Sequence, residues 1–368
     1  MATLSVPLND LRRQYLNLAG ELDAAVHAVM SSGRYIMGQQ HDAFEREFAA
    51  YCGRKYAVAV ANGTDALEIA LRAAGCGPGD EVITVANAGG YATSACLLVN
   101  ATPVYVDVDP ATLTVLPHAI RPALSSRTKA IVVTHLYGML ADTEAIRGAL
   151  AGCEVSIIED CAQAHGARRR GRPAGSFGDL GTFSFYPTKN LGAMGDGGAI
   201  VTDDEVIAEH LRRLRQYGWS EKYRSVSPGG CNSRMDELQA AVLRKKLPYL
   251  DRWNERRREI VARYGESARG TALRLVHEPV PEYVAHLCIA RHHDRDGLCR
   301  RLKENGVSTA IHYPLLDHQQ ESLRKAPWRA MGLPNSESAQ GEIVTLPCFA
   351  EMTEAEVDCV SDAIRSCG

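Results

Sequence analysis

The chain has 368 residues, of which 45% are hydrophobic, and its formal net charge is −3. This length is sufficient for one large hydrophobic core and a smaller one, which favours a two-domain enzyme over a small binding module. The charge is close to neutral, and the basic cluster between residues 168 and 172 is interrupted by a glycine and followed by a proline. We interpret that cluster as a solvated turn, and we expect no nucleic-acid partner.

The cysteines and the apolar segments of the sequence indicate the cellular compartment of the protein. Eleven cysteines are scattered between Cys52 and Cys367 without any C-x-x-C pair, which favours a reducing compartment. No apolar run approaches the roughly 20 residues needed to cross a bilayer, and the first residues lack the apolar core of a secretion signal. We therefore expect a cytoplasmic protein without a membrane partner.

Seven short apolar runs between residues 56 and 203 are separated mostly by amphipathic stretches such as DALEIALRAA. In chain order the runs are YAVAVA, EVITV, TPVYVDV, KAIVVTH, VSIIED, GTFSFY and AIVTD. Most lack a polar alternation, which is typical of strands covered on both faces. The sequence predicts an α/β fold with a mostly parallel sheet between helices, and ligands bind such sheets beyond the carboxyl ends of the strands.

A second, smaller α/β domain is predicted in the C-terminal part. A long helix is predicted over residues 247–268, so we place the boundary between a large domain, 1–245, and a small domain, 246–368. EYVAHLCIA predicts a strand, and RDGLCRRLKENG and EAEVDCVSDAIRS predict helices. His292 and His293 precede Asp294 and Asp296, but a helix N-cap explains this group as well as a metal does, and no metal is expected.

Small and polar residues follow the first predicted strand. Gly63 and Thr64 come after YAVAVA and before a helical pattern. A glycine permits close backbone approach, and the free amides of a first helical turn, together with a threonine hydroxyl, suit a phosphate group. An ordinary N-cap formed by Thr64 or Asp65 is the alternative interpretation.

Two further strand ends carry ionisable residues. VSII leads into Glu159 and Asp160, and GTFSFY leads into Lys189. A carboxylate at the end of a buried strand is costly unless it meets a cation or hydrogen-bond donors. Pyridoxal phosphate would satisfy all three strand ends, with its phosphate at the helix start, its ring nitrogen opposite Asp160 and its aldehyde condensed with Lys189. Lys189 would then also move the proton between the substrate and cofactor carbons.

The order of several motifs resembles a known family. EDCAQAHGA, GSFGDLGTFSFYPTKNLGAMGDGGAIVT, ANGTDAL, GPGDEVI, HLYG and NSRMDELQAA resemble the DegT/DnrJ/EryC1/StrS sugar aminotransferases over about residues 7–314. The resemblance implies a fold-type I aminotransferase fold, pyridoxal 5'-phosphate as cofactor and a nucleotide-linked ketosugar as substrate. It also implies L-glutamate as amino donor and a place in deoxyaminosugar biosynthesis, for lipopolysaccharide or an antibiotic.

The resemblance assigns roles to individual residues. Lys189, in PTKNLGA, matches the Schiff-base lysine. Asp160, in EDCAQ, matches the partner of the pyridine nitrogen, and Gln163 matches a group near the ring hydroxyl. Gly63 and Thr64, in NGTDAL, match phosphate ligands. These five positions are the predicted centre of the site.

Two more phosphate ligands are implied, one of them from another subunit. Ser184, in FSF, matches a phosphate ligand, although it could be an ordinary strand hydroxyl. Asn232, in GCNSRMD, matches an asparagine that reaches the phosphate of the neighbouring subunit, although it could be a turn residue. The resemblance therefore predicts a homodimer with shared active sites.

One segment departs from the family pattern. Many members carry a threonine and an aromatic residue after GDEVI, and the aromatic ring stacks on the cofactor, whereas this chain reads TVANAGGYATSA with an extra residue. Tyr91 is the nearest aromatic residue and is the candidate for the stacking position. The AGGY variant resembles members that aminate a dTDP-linked 3-keto-6-deoxyhexose, rather than those that act at carbon 4.

Three further residues are candidate neighbours of the substrate. They are His165, Tyr186 and Tyr313, and for His165 and Tyr313 a purely structural role is equally open. Two other functions remain as alternatives. Some relatives are sugar dehydratases, but they replace the lysine with histidine, whereas Lys189 is present here. A non-catalytic regulator is the other, and the presence of both Lys189 and Asp160 argues against it.

Overall fold

The computed structural model describes residues 5–367, which form fifteen strands and twelve α-helices. The strands are β1 Tyr56–Val60, β2 Glu81–Val85, β3 Thr102–Val106, β4 Thr128–Thr134, β5 Ser156–Asp160, β6 Arg168–Arg169, β7 Arg172–Pro173, β8 Leu180–Ser184, β9 Gly198–Thr202, β10 Trp219–Glu221, β11 Arg224–Ser225, β12 Arg274–Leu275, β13 Cys288–Arg291, β14 Arg329–Ala330 and β15 Ile343–Leu346. The helices are α1 Leu11–Ser32, α2 Gln39–Tyr51, α3 Gly63–Ala73, α4 Tyr91–Leu98, α5 Ile120–Ala123, α6 Thr143–Ala149, α7 Glu205–Leu214, α8 Glu237–Lys246, α9 Leu250–Ser267, α10 Arg295–Glu304, α11 Pro334–Glu342 and α12 Glu354–Cys367.

Eight strands form the central sheet, in the order β1-β9-β8-β5-β4-β2-β3-β14. Only β9 runs against its neighbours, since it pairs antiparallel with both β1 and β8, while the other neighbouring pairs are parallel. The strands β1, β8, β5, β4 and β2 therefore all point the same way. Their carboxyl ends meet at one edge of the sheet, where ligands bind in folds of this type.

A separate antiparallel sheet, in the order β12-β13-β15, lies in the C-terminal part. It has its own apolar core, in which Tyr264, Leu298 and Phe349 are completely buried. Two pairings connect the large and C-terminal parts of the chain. Val6, near the N-terminus, pairs with Val307, and β14, from the C-terminal part, joins the central sheet beside β3. The boundary between residues 245 and 246 falls at the end of α8 and stays a prediction.

The structure confirms the fold class, and all seven apolar runs of the large domain are strands. The predicted helices at 247–268, 295–306 and 354–366 are α9, α10 and α12, the first beginning with a short 3-10 turn. Asp294 caps α10, since the Gly297 amide donates to its Oδ1 at 3.1 Å. None of the helices in the described part of the chain is long and apolar enough to span a membrane.

One local prediction and one alternative interpretation were wrong. Only the end of EYVAHLCIA is a strand, because residues 282–287 pair with the loop after β4 instead, through bonds from the Leu140 amide to the Glu282 carbonyl and from the Val284 amide to the Gly138 carbonyl. The N-cap of α3 is Asn62, rather than Thr64 or Asp65, and its side chain accepts from the Asp65 amide at 2.9 Å.

Candidate active site

A cavity of about 630 Å³ lies at the carboxyl edge of the central sheet. Loops after β1, β2, β5 and β8 supply much of its wall, and segments near His286 and His312 supply another part. Nine of the residues predicted for the site line it: Gly63, Thr64, Tyr91, Asp160, Gln163, Ser184, Tyr186, Lys189 and Tyr313.

Lys189 and Asp160 share this cavity. Asp160 ends β5 with 6% of its surface exposed, and burial raises its pKa, although the Ala162 amide and the Lys189 charge act in the opposite direction. Burial lowers the pKa of Lys189 to about 8, against the opposing effect of Asp160. The Ala162 amide donates to Asp160 Oδ1 at 3.1 Å, and the Thr134 hydroxyl lies near the same carboxylate, which lines the cavity.

The turn that carries Lys189 is compact. The Lys189 amide donates to the Tyr186 carbonyl at 2.8 Å, and a β-carbon at Gly192 would clash with the Pro187 carbonyl. Farther along, a β-carbon at Gly198 would clash with the Asn62 carbonyl. These glycines therefore let the lysine turn close on itself and let β9 approach the start of α3.

The start of α3 faces the end of β8. A β-carbon on Gly63 would lie 2.5 Å from the Ser184 Cβ, so only glycine fits at this point. The amides of Gly63 and Thr64 precede the first intrahelical hydrogen bond and are free for a ligand. With the hydroxyls of Thr64 and Ser184 on the same cavity, this corner has the donors that an anionic phosphate requires.

Gln163 and Tyr313 form a second wall. Gln163 Nε2 donates to the Tyr313 hydroxyl at 3.1 Å, while its Oε1 accepts from the Tyr137 amide at 2.6 Å. The Tyr313 ring packs on Gly89, where a β-carbon would lie 2.8 Å from the ring. Tyr91 meets the same ring edge to face, with centroids 6.3 Å apart, so the AGGY loop and Tyr313 shape one side of the cavity together.

Two predicted residues lie outside the cavity wall. Asn232 is exposed to solvent, and its backbone pairs with Gln216. His165 is 1% exposed and packs between Phe183 and Phe185, with ring centroids 5.5 and 5.6 Å away, and burial lowers its pKa to about 3. The position of His165 favours the structural role that the sequence left open.

Sequence reasoning missed His286 and His312, which also line the cavity. His312 Nδ1 lies 2.8 Å from the Thr345 hydroxyl, and His286 Nδ1 lies 3.1 Å from Asn190 Oδ1. His312 precedes Tyr313 in the IHYP segment, so the pattern that pointed to Tyr313 could also have pointed to His312. His286 lies in EYVAHLCIA, which was predicted as a strand.

A group with potential metal ligands, His135, Glu159 and Cys161, lies behind the site. His135 donates from Nε2 to Glu159 at 2.8 Å, and its Nδ1 accepts from the Ala141 amide. Glu159 also accepts from the backbone amides of residues 175, 177 and 178. Burial would raise the pKa of Glu159, but His135 and these amides together lower it. These hydrogen bonds account for the group as a structural anchor.

The residues present fit pyridoxal phosphate. The cavity combines a lysine of lowered pKa, a buried carboxylate on its wall and an anion-binding helix start, one for each functional group of that cofactor. Fold and site thus define a fold-type I pyridoxal phosphate enzyme. Residues 17–365 match the model of the DegT/DnrJ/EryC1/StrS aminotransferase family. The chain belongs to this family of pyridoxal phosphate-dependent aminotransferases, whose substrates are nucleotide sugars.

Three similar proteins illustrate the family. The chain is 41% identical to a pleiotropic regulatory protein of Geobacillus stearothermophilus, over 98% of each chain. It is 44% identical to dTDP-3-amino-3,6-dideoxy-alpha-D-galactopyranose transaminase of Aneurinibacillus thermoaerophilus, over 99% of each. The crystal structure of S. venezuelae DesV in complex with a ketimine intermediate superimposes with a TM-score of 0.95 at 42% identity, covering 99% of this chain and 98% of DesV.

Proposed function

We propose that this protein transfers the amino group of L-glutamate to a dTDP-linked 3-keto-6-deoxyhexose and so produces the 3-amino sugar. The observation that carries the proposal is the meeting of Lys189 and Asp160 in one cavity, together with an anion-binding helix start. The relative from Aneurinibacillus thermoaerophilus, named for a dTDP-linked 3-amino sugar, supports both the nucleotide and the position.

Each residue has a defined task in this proposal. Lys189 attaches the cofactor through Nζ and then, once displaced, carries a proton to and from the substrate carbon. Its lowered pKa supports this task, because an amine with a pKa of about 8 has a much larger neutral fraction near pH 7 than an ordinary lysine. Asp160 holds a proton on the cofactor's ring nitrogen, and Gln163 orients the ring. When bound, pyridoxal phosphate supplies the electron sink for the reaction.

Three residues hold the cofactor's phosphate in this proposal. Gly63, Thr64 and Ser184 donate from within the same chain, and their position around one corner of the cavity supports this. Asn232 is proposed to donate from the neighbouring subunit of a homodimer. Its exposure to solvent and its place outside the cavity of its own chain support that arrangement.

Carbon 3 is proposed as the position of amination because of the loop that contains Gly89 and Tyr91. The loop borders the cavity, and Gly89 leaves room for the Tyr313 ring. Tyr91 and Tyr186 supply flat apolar surfaces for the cofactor or the sugar. Amination at carbon 4 is the competing position, and the sugar's stereochemistry is a separate question.

The first test asks whether Lys189 carries the cofactor. The purified protein should be yellow, and reduction with borohydride should fix the cofactor to a single lysine that peptide mapping identifies as Lys189. A label on another lysine, or no label, would remove the basis of the proposal. Lys246 is an internal control, because burial also lowers its pKa to about 8 but it donates to the Gly192 carbonyl, away from the cavity.

The second test asks which carbon is aminated. With glutamate as donor, kcat/KM for the dTDP-linked 3-keto sugar should exceed that for the 4-keto isomer at least about tenfold, which corresponds to about 1.4 kcal/mol in transition-state binding. NMR of the product then places the nitrogen. A higher kcat/KM for the 4-keto isomer would reject carbon 3 and leave the aminotransferase assignment intact.

The same assay separates the two remaining alternatives. A dehydratase would release a deoxygenated sugar without incorporating nitrogen, which mass spectrometry of the product detects. A regulator, as the name of the Geobacillus stearothermophilus relative suggests for that protein, would show no turnover with any ketosugar. The retained Lys189 and Asp160 favour the transaminase over both.

A further inference from the structure

His286 occupies an unusual place in the cavity wall. Only 8% of its surface is exposed, yet it borders the same cavity as Lys189. It lies in the segment that leaves the predicted strand and pairs with the loop after β4. A histidine that is nine-tenths buried must have its ring nitrogens accounted for, because an unmatched buried polar atom is costly.

The orientation of the Asn190 side chain follows from the hydrogen bonds of its amide nitrogen. Its Nδ2 lies 2.9 Å from the Val284 carbonyl and 2.8 Å from Asn254 Oδ1. The backbone carbonyl can only accept, so the Asn190 atom that faces it must be the amide nitrogen. Asn254 is fixed in the same way, since its Nδ2 donates to the His165 carbonyl at 2.8 Å.

The orientation of Asn190 determines the tautomer of His286. Because Asn190 Nδ2 donates to the Val284 carbonyl and to Asn254, the atom that lies 3.1 Å from His286 Nδ1 is the Asn190 side-chain oxygen. An oxygen acceptor requires a proton on Nδ1, so in the neutral ring the proton is on Nδ1 and Nε2 carries a lone pair. Nε2 has no hydrogen-bond partner among residues 5–367, and the ring borders the cavity.

The surroundings keep this ring neutral. Burial lowers the pKa of His286 well below its usual value, and the positive charges of Lys189 and Arg257 lower it further. His165 and His312 also lie near the ring, and burial lowers the pKa of both. Two carboxylates, Asp160 and Asp196, line the same cavity, and neither is among the main influences on the pKa of His286. His286 is therefore an acceptor at neutral pH rather than a second cation.

We propose that His286 is a positioning residue for Lys189: fixed in the Nδ1-protonated tautomer by Asn190, it offers Nε2 as a hydrogen-bond acceptor to the lysine amino group. This inference rests on the proposed function of Lys189. The two groups line one cavity without a hydrogen bond between them in the structure, so the flexible lysine side chain reaches Nε2 by rotation in the interval when it is not attached to the cofactor. This acceptor also stabilises the protonated amine, since a charged donor makes a stronger hydrogen bond.

The tautomer can be measured without substrate. In the full-length chain freed of cofactor and labelled with 15N-histidine, NMR at pH 7 should show His286 protonated at Nδ1 and unprotonated at Nε2, in a neutral ring. The variant His286→Gln, which loses the signal, provides the assignment. A proton on Nε2, or titration near pH 6.5, would overturn the proposal.

The effect on Lys189 is the second readout. Competitive acetylation of the same cofactor-free chain, quantified by mass spectrometry across pH, gives the pKa of Lys189. In His286→Phe, which keeps a ring but removes the acceptor, this pKa should fall by about one pH unit, the equivalent of one hydrogen bond to a charged group. His286→Gln retains an acceptor oxygen and should restore most of the difference.

A matched control separates this effect from the loss of any buried histidine. His277 is buried away from the cavity and bonds to the Thr112 carbonyl through Nε2. His277→Gln should leave the pKa of Lys189 unchanged. An unchanged pKa in His286→Phe would reject the role of His286 and leave the transaminase proposal standing. Conversely, the expected tautomer and pKa without any amino transfer to ketosugars would reject the proposed function alone.

Discussion

At the residue scale, burial acts in opposite directions on the two central ionisable groups. It raises the pKa of Asp160, because it disfavours the carboxylate, and lowers that of Lys189, because it disfavours the ammonium. Each group partly offsets the burial cost of the other. A ligand that brings a protonated ring nitrogen to Asp160 supplies a new positive partner, so its binding should favour the ionised carboxylate.

The first prediction concerns the charge of Asp160. Asp160→Asn should still bind pyridoxal phosphate, since Lys189 and the phosphate corner are intact, but kcat should fall by roughly three orders of magnitude, because a neutral amide cannot keep the ring nitrogen protonated. Absorbance measures the bound cofactor, and steady-state kinetics measures kcat. Asp294→Asn, at the N-cap of α10, is a control that should keep full activity. Near-normal turnover in Asp160→Asn would mean that another group holds the proton.

At the scale of elements, the site depends on how closely α3 approaches β8. The first residue of α3 is Gly63, and its hydrogen faces Ser184 at the end of β8. The contact joins two elements more than a hundred residues apart in the chain. It brings the free amides of the helix start to the same corner as the Ser184 hydroxyl. The geometry of this phosphate corner therefore requires a glycine, which has no side chain, at position 63.

The second prediction tests this contact. Gly63→Ala places a β-carbon 2.5 Å from the Ser184 Cβ and should lower the free energy of unfolding by about 1–3 kcal/mol, the usual cost of overpacking. It should also weaken the binding of pyridoxal phosphate, measured by fluorescence titration. Gly20→Ala, in the interior of α1 with open space around it, is the matched control and should stabilise the protein by about 0.5–1 kcal/mol. Equal effects of the two substitutions would contradict the close approach.

At the scale of the whole molecule, the exposed position of Asn232 bears on the assembly. Its neighbourhood includes the hairpin of β10 and β11, where Tyr217, Tyr223 and Val226 are exposed large side chains. Exposed apolar side chains next to a proposed shared site are consistent with a contact between two copies. A two-fold dimer would repeat that contact and complete two sites at once.

The third prediction is complementation between inactive chains. A mixture of Lys189→Ala and Asn232→Ala chains, unfolded and refolded together, should regain activity, because one site of the mixed dimer has both residues intact. A mixture of Lys189→Ala and Asp160→Asn chains is the control and should stay inactive, since each site keeps one of the two defects. Sedimentation should show an active dimer. A fully active monomer, or equal activity of the two mixtures, would refute the shared site.

The sequence alone predicted the seven main strands of the large domain and placed Asp160 and Lys189 at or shortly after strand ends. Each strand is a short local run of apolar side chains, and Asp160 and Lys189 lie close to the ends of such runs, so their convergence at one sheet edge followed from parallel strand direction. The order of the family motifs indicated which cofactor the protein uses. These features can be predicted from the sequence because hydrophobic periodicity and strand ends are local properties of the chain.

Only the tertiary structure decided which distant segments complete the cavity. His286 reaches the wall because residues 282–287 pair with the loop after β4 rather than extending a strand, and its tautomer depends on Asn190 and Asn254. The fit of Gly63 against Ser184 likewise depends on a contact across the fold. Such contacts arise from the packing of elements far apart in sequence, and hydrophobic periodicity carries no information about which side chains meet there.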